Sequence, residues 1–190
     1  MFLLYAVLVG VVAGIALRGS LDGIAALRFR WAWLAFGGFA AQAVLFWGPV
    51  SDRIGDAGPA IYVLSTLAVL VAVLRNAAIP GLLVVASGAA ANLAAILANG
   101  GYMPANPDAV VAAGRHAADA YSNSALALHP ALAPLTDVFA LPSWLPWANV
   151  FSVGDVLIGA GVAIAIVAAM RSARGASRNL PRSPEPQRYP

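Results

Sequence analysis

The sequence predicts an all-α protein, built as a polytopic bundle of about five transmembrane helices. Hydrophobic residues make up 61% of the chain and charged residues only 10%, whereas a typical soluble domain is about 25% charged. The apolar residues fall into separate runs, most of them long enough to cross a bilayer core at about 1.5 Å per residue. All 11 basic residues are Arg, and they concentrate between alternate runs, as positive charges do on the cytoplasmic side of a membrane.

The predicted spans follow one another through short connectors until the fourth span ends. The first run lacks the positively charged start of a secretory signal, so we interpret it as a retained helix. Trp31 and Trp47 bound the second run, as aromatic residues do at membrane interfaces. Pro80 opens the fourth run near its first turn. The spans are predicted at about residues 1–17, 31–50, 57–74, 79–97 and 153–170.

The placement of Arg predicts the orientation. Connectors 18–30 and 75–78, together with the chain after the fifth span, hold nine Arg residues, whereas the opposite side holds only Arg53 and Arg115. The positive-inside rule therefore places the N-terminus outside and the C-terminus in the cytoplasm. An odd number of spans follows from this orientation.

Two segments stand apart from the spans. Residues 100–149, between the fourth and fifth spans, form an outer-face segment that is far too long for a simple connector. The Asn-Pro-Asp sequence at 106–108 predicts a helix start that leads into residues 109–121, and the four Pro residues after it predict an extended run along the surface. Residues 172–190 are rich in Pro, Arg and Ser and are predicted to be a disordered cytoplasmic tail, beside an integral membrane domain of residues 1–171.

Few polar side chains lie within the predicted spans. Asn92 falls in the middle of the fourth run, where a carboxamide needs a partner on another helix; it either joins helices or lines a polar site. Asn99 begins an Asn-Gly-Gly turn two helical turns later. Gly10 and Gly14 have the spacing that allows close helix packing, either within the chain or between two copies in a homodimer.

Two carboxylates are the most informative acids. Asp155 begins the fifth span, and Ser152 before it completes the pattern of a helix capping box. A carboxylate at the mouth of a membrane helix equally indicates a functional site. Asp137 lies 18 positions before Asp155, on the same predicted side of the membrane. Two carboxylates at the edge of a low-dielectric medium can share a proton and activate a water molecule for attack on a carbonyl.

Three segments carry a resemblance to a known family: residues 87–92 (Ser-Gly-Ala-Ala-Ala-Asn), 136–139 (Thr-Asp-Val-Phe) and 151–155 (Phe-Ser-Val-Gly-Asp). They resemble the C-terminal part of lipoprotein signal peptidases. In that family a Gly-Gly-x-x-Gly-Asn segment is followed by an Asp in a Val-Asp-Phe context, and then by an Asp in a Phe-Asn-x-Ala-Asp motif. The resemblance implies an intramembrane aspartyl hydrolase whose catalytic pair is Asp137 and Asp155.

The chain departs from that family and resembles a second one over its whole length. Ser152 replaces the motif's Asn, no Asp-Arg follows Asn92, and five spans are predicted where the peptidases have four. Residues 99–104 (Asn-Gly-Gly-Tyr-Met-Pro) and the Phe-Ser-x-Gly-Asp pattern at 151–155 are similar to the motifs of an uncharacterised family of bacterial membrane proteins, a domain of unknown function. That resemblance implies a multi-pass protein of the bacterial plasma membrane and supplies no activity.

Three functions stay open at this point. The favoured one is a non-enzymatic membrane protein that binds a lipid, a small molecule or a partner at its outer face, with Asn92, Asn99 and Ser152 as binding residues. The first alternative is an aspartyl hydrolase that uses Asp137 and Asp155. The second is a transporter or channel subunit, which is disfavoured because no acid or Arg lies in mid-membrane.

Other kinds of site are excluded or disfavoured. The chain has no Cys, which excludes disulfides, thiolate metal sites and Cys nucleophiles. His116, Asp119 and His129 have metal-ligand chemistry, but His-x-x-Asp in a polar loop is more often solvated, so no metal and no cofactor are expected. The net charge of +3 is explained by the predicted cytoplasmic Arg residues. Membrane lipid is therefore the expected partner, and nucleic acid is not.

Overall fold

The structure is a computed structural model that describes residues 2–115 and 128–178. These residues form eight α-helices, one 3-10 turn at Ala133–Leu135 and a two-stranded antiparallel sheet of β1 (Phe139–Ala140) and β2 (Val150–Phe151). The helices are α1 (Phe2–Ala16), α2 (Asp22–Ala25), α3 (Ala32–Leu45), α4 (Gly48–Ile54), α5 (Ala57–Leu74), α6 (Leu82–Ala98), α7 (Pro107–Ala112) and α8 (Val153–Arg178).

The long helices pack mainly as a row, in the order α1, α8, α6, α5 and α3. Helix α8 runs parallel to α1: Gly10 of α1 lies against Ala163 of α8, and Gly14, one turn later, lies against Met170. The other neighbours in the row are antiparallel. The ends of these helices therefore gather at two opposite sides of the bundle.

We name these two sides after residues that lie there. The Asp155 end holds the starts of α1, α5 and α8 and the ends of α3 and α6. At the Arg75 end, the N–H of Ser20 donates to the carbonyl of Met170 at 2.8 Å. There Asn76, at the end of α5, also accepts from the N–H of Arg30 and donates to its carbonyl, both at 2.7 Å. The connectors that carry the predicted cytoplasmic Arg residues are thus gathered at one side.

The mainly helical class is confirmed, and two helices have the length and apolarity to cross a membrane. These are α5, with 18 residues, and the part of α8 from Val153 to Ser172, with 20 residues; both have a mean hydropathy of 2.2. The described helix α5 has the predicted bounds. Helices α1, α3 and α6 are apolar but shorter, at 15, 14 and 17 residues, so the count of five spans stays a prediction.

The second predicted span is interrupted. Helix α3 ends at Leu45, and α4 begins at Gly48 after an extended Trp47 (φ −76°, ψ 117°). Pro49 explains the break, because a proline in the interior of a continuing helix would lose one backbone hydrogen bond and clash with the preceding turn. In the first turn of a new helix the missing N–H costs nothing.

Helix α7 begins where the sequence predicts a helix but is shorter. The Oδ1 atom of Asn106 accepts from the N–H groups of Asp108 and Ala109, at 2.8 and 3.1 Å, and so caps the helix. The prediction that it continues towards residue 121 is wrong, because the helix ends at Ala112 and the chain turns at Gly114 with φ +71°. Residues 116–127 lie outside the described part.

Two other differences concern the strands and the last helix. The sequence predicts an all-α fold and does not predict β1 and β2, whose register pairs Phe139 with Phe151 and Ala140 with Val150. Helix α8 continues to Arg178, beyond the predicted end of the fifth span. Residues 179–190 lie outside the described part, so the disordered tail stays a prediction.

Gly10 and Gly14 are both buried in the interface between α1 and α8. A Cβ atom at Gly14 would collide with the side chain of Met170, and one at Gly10 would lie 3.0 Å from the Cα of Ala163. The close packing that these glycines permit is therefore used within the chain. A second copy could reach this surface only if α1 left α8.

Candidate functional site

A closed polar network joins α6 to the start of α8. The amide of Asn92 donates to Oδ1 of Asp155 at 3.0 Å, and its Oδ1 accepts from the hydroxyl of Ser152 at 2.7 Å. The same hydroxyl accepts from the N–H of Asp155, and Oδ2 of Asp155 accepts from the N–H of Ser152, both at 3.0 Å. Ser152 and Asp155 thus form a complete capping box, and Asn92 ties it to the neighbouring helix.

Glycines bring the two backbones close enough for this network. A Cβ atom on Gly154 would collide with Oδ1 of Asn92 and would lie 2.7 Å from the carbonyl of Gly88. A Cβ atom on Gly88 would in turn collide with the carbonyl of Gly154. Ser152 is completely buried here. A buried hydroxyl without a hydrogen-bond partner would destabilise the fold. The Asn92 side chain provides that partner, because it accepts the hydrogen bond from Ser152.

Asp137 reaches the same place through the segment between α6 and α8. Its N–H donates to the carbonyl of Pro104 and its carbonyl accepts from the N–H of Asn106, both at 3.0 Å. The chain then enters β1, whose partner β2 leads directly into Ser152. The strand pairing therefore places the two sequence-predicted carboxylates, Asp137 and Asp155, near each other.

The environment of Asp137 favours its neutral form. Burial first, and then the negative charge of Asp155, raises the pKa of Asp137 from 3.8 to about 7. The residue is partly exposed. Among the described residues, none donates a hydrogen bond to its carboxyl group. Near neutral pH this group can therefore hold or release a proton.

Asn99, the remaining predicted binding residue, lies apart from the network of Asn92, Ser152 and Asp155. Its side chain donates to the carbonyls of Ala95 and Ala131, at 2.8 and 2.9 Å, and accepts from the N–H of Ala131 at 2.9 Å. These bonds fasten the segment between α6 and α8 to the last turn of α6. The structure thus brings together Asn92, Ser152, Asp155 and Asp137 and leaves Asn99 outside this group.

Sequence reasoning missed an aromatic cluster beside the sheet. The ring of Phe151 stacks on Phe2 of α1, with centroids 4.6 Å apart, and on Phe139, at 5.5 Å. The hydroxyl of Tyr5 donates to the carbonyl of Pro146 at 2.6 Å. These contacts hold β1 and β2 against α1. Their sequence signal is weak, because single aromatic residues in an apolar run do not indicate their partners.

No group of three His, Asp or Glu residues that could hold a metal ion occurs in residues 2–115 and 128–178. His129 is exposed, whereas His116 and Asp119 fall on residues that the structure does not describe.

The fold and this site define a class: a mainly helical protein with two apolar helices of membrane length, in which the longest described helix starts at a polar network. Residues 26–167 match a family of unknown function (DUF5317), and because the match covers well over half of the chain, the protein belongs to that family. The matched range includes Asn92, Asp137, Ser152 and Asp155. The chain has no significant match among curated proteins or solved structures. The prediction of an uncharacterised family is confirmed, and the resemblance to lipoprotein signal peptidases stays a prediction.

Proposed function

We propose that the protein crosses the bacterial plasma membrane five times, through α1, α3, α5, α6 and α8, and binds a ligand at its outer face beside Asp137. Two features of the bundle support this topology. Helices α1 and α8 are parallel, as the first and last of an odd number of spans must be. Arg18, Arg30 and Arg75 belong to connectors at the Arg75 end, where the positive-inside rule requires them on the cytoplasmic side.

The binding proposal rests on the Asp137 carboxyl group, which is partly buried next to a second carboxylate. Asp155 uses both of its oxygen atoms in hydrogen bonds to Asn92 and Ser152. Asp137 has no such donor among the described residues, although it is partly buried. A ligand group that donates hydrogen bonds and carries a positive charge, such as a primary ammonium, would satisfy Asp137 and offset the repulsion from Asp155.

Thermal unfolding of the detergent-solubilised protein at pH 8 tests this binding. Ethanolamine supplies a primary ammonium, and choline supplies the same charge without N–H donors. Because a ligand that binds only the folded state stabilises it, we expect ethanolamine to raise the melting temperature more than choline does. Asp137→Asn should abolish the difference, and Asp108→Asn, which changes an exposed acid of the same segment, should retain it. Equal responses of the wild type and Asp137→Asn to ethanolamine would contradict the proposal.

An aspartyl hydrolase is the second candidate, and the raised pKa of Asp137 favours it. A carboxyl group that is partly protonated near pH 7, beside a second carboxylate, has the chemistry of a general acid next to a general base. In that role Asp137 would protonate the leaving group. Asp155 would have to activate water while it keeps its bonds to Asn92 and Ser152. No feature of the described residues favours the transporter.

Cleavage assays distinguish this candidate from binding alone. Purified protein in lipid vesicles would be incubated with membrane-spanning peptides, and the products would be identified by mass spectrometry. A hydrolase requires that Asp137→Asn and Asp155→Asn both stop cleavage while Asp108→Asn does not. Cleavage that persists in Asp137→Asn would exclude the pair as the catalytic group.

A further inference from the structure

A groove lies between α3, α4 and α5 at the Asp155 end of the bundle, apart from the polar network. Its volume is about 370 Å³. Its walls are aliphatic: α3 contributes Ala40, Ala41, Val44 and Leu45, α4 contributes Val50 and Ile54, and α5 closes the groove with one isoleucine. The lining residues from α3 and α5 belong to the last turns of α3 and the first turns of α5. The groove therefore lies near the membrane surface if both helices cross the bilayer.

The size and chemistry of the groove limit what can occupy it. An α-helix is about 10 Å across with its side chains and would not fit between three packed helices. A water molecule takes up about 30 Å³ of liquid, so the groove has room for on the order of twelve groups of that size. The walls offer no polar side chain to hold a polar ligand. A single hydrocarbon chain fits both limits.

The connector beside the groove carries charges of both signs. Arg53 of α4 and Asp56 after it are exposed, and the guanidinium of Arg53 donates to the carbonyl of Pro49 at 3.1 Å, which holds it against α4. These two charges have opposite signs, so an anionic headgroup would find a partner at Arg53 and repulsion at Asp56. A zwitterionic headgroup can place its phosphate at Arg53 and its ammonium at Asp56.

Trp47 marks the depth of the site. It precedes the first turn of α4 and is 64% exposed, and exposed Trp residues are enriched at the level of the lipid headgroups. The aliphatic groove next to α4 then lies at the level of the acyl chains. The charged residues Arg53 and Asp56 therefore lie at the level of the headgroups and the aliphatic groove at the level of the acyl chains, which is the order of the two parts of a phospholipid.

We infer that this groove binds one acyl chain of an outer-leaflet phospholipid with a zwitterionic, amine-bearing headgroup. The inference depends on α3 and α5 crossing the membrane, as in the proposed function, but not on Asp137. The lipid would fill the space that the break between α3 and α4 leaves beside α5.

Native mass spectrometry of the full-length protein tests the site. The detergent-solubilised protein would be mixed with equal amounts of phosphatidylethanolamine and phosphatidylglycerol that differ in isotopic mass, and the retained lipid would be counted. We expect one phosphatidylethanolamine to be retained in preference. Ala40→Phe places an aromatic ring in the groove and should weaken retention by about tenfold, which corresponds to about 1.4 kcal/mol.

Ala43→Phe is the matched control, because it makes the same change at another exposed alanine of α3 that does not line the groove. It should retain the lipid as the wild type does. Arg53→Gln, a surface change that leaves the groove intact, should reduce the preference for phosphatidylethanolamine. Equal retention by Ala40→Phe and Ala43→Phe, or preferred retention of phosphatidylglycerol, would overturn the inference. Asp137→Asn should leave the retained lipid unchanged, so this inference and the ligand site at Asp137 fail separately.

Discussion

The α6–α8 and α3–α5 pairs are both antiparallel and apolar, yet they meet in different ways. Glycines bring the backbones of α6 and α8 into contact, and a closed polar network seals the pair at the Asp155 end. Between α3 and α5, Gly38 also lies against a backbone carbonyl, that of Ser65, and the Gln42 amide donates to the Thr66 hydroxyl at 3.2 Å. At the Asp155 end of this pair, however, a groove stays open. The α6–α8 pair therefore positions the polar side chains of the candidate site, whereas the α3–α5 pair leaves a groove that an apolar ligand can occupy.

The largest expected effect concerns the close approach of α6 and α8. Gly154→Ala should destabilise the protein by about 3 kcal/mol, because the added methyl group has no space and displaces the Asn92 amide that satisfies Ser152. Gly37→Ala makes the same change on α3, where a Cβ atom would meet nothing within 4 Å. That variant should be neutral or slightly more stable, since Ala favours helix over Gly. Thermal unfolding in detergent compares them, and equal losses would show that the loss in Gly154→Ala does not come from the close approach of α6 and α8.

The second prediction concerns pH and the Asp155 end. Because the pKa of Asp137 is raised to about 7 in the folded protein, the folded state holds a proton that the unfolded state has released between about pH 4 and pH 7. A shift of about three pKa units corresponds to about 4 kcal/mol, and solvent screening of this partly exposed carboxyl group reduces the effect. Stability should therefore fall by on the order of 2 kcal/mol as pH rises through that window, and should not fall further above it.

Asp137→Asn should remove this decline and be more stable than the wild type at pH 8. Asp56→Asn, at the start of α5, should keep the wild-type dependence. Melting temperatures measured from pH 4 to pH 8 provide the comparison. A decline of wild-type size in Asp137→Asn would show that another group is responsible.

The smallest effect compares the closed network at Asn92 with the Gln42–Thr66 bond. Asn92→Leu leaves the buried Ser152 hydroxyl without its acceptor, at a cost of about 1–3 kcal/mol. Gln42→Leu removes one interhelical bond, worth about 0.6 kcal/mol in a membrane helix bundle. Unfolding free energies in detergent should therefore differ by about 1 kcal/mol. If Gln42→Leu costs as much as Asn92→Leu, the closed network confers no special stability.

Apolar helices and helix caps could be predicted from the sequence because they depend on residues that are close together along the chain. The bounds of α5 and the capping of α8 by Ser152 and Asp155 are of this kind. Pro49 also carried a local signal for the break after α3, which a reading by hydropathy alone passes over. Gly114 was likewise a signal for the early end of α7.

Long-range pairings were predictable only in part. The sequence predicts that Asp137 and Asp155 come together, but their approach depends on β1 pairing with β2, and two-residue strands have no periodicity to detect. Asn92 had to find a partner, yet nothing in the α6 sequence identified Ser152. The position of Asn99 near Asn92 along the chain predicts that it belongs to the site, whereas its side chain bonds to Ala131.

Labelling of single cysteines tests the central claim, that a five-span protein presents the Asp137 region at the outer face. The chain has no Cys, so one introduced thiol gives a clean signal. Ser143→Cys lies in the outer segment and Ala26→Cys in the connector between α2 and α3, and both positions are exposed. A membrane-impermeant maleimide applied to intact cells should label Ser143→Cys alone, and permeabilised cells should show both. Labelling of Ala26→Cys in intact cells, or of neither variant until permeabilisation, would contradict the account.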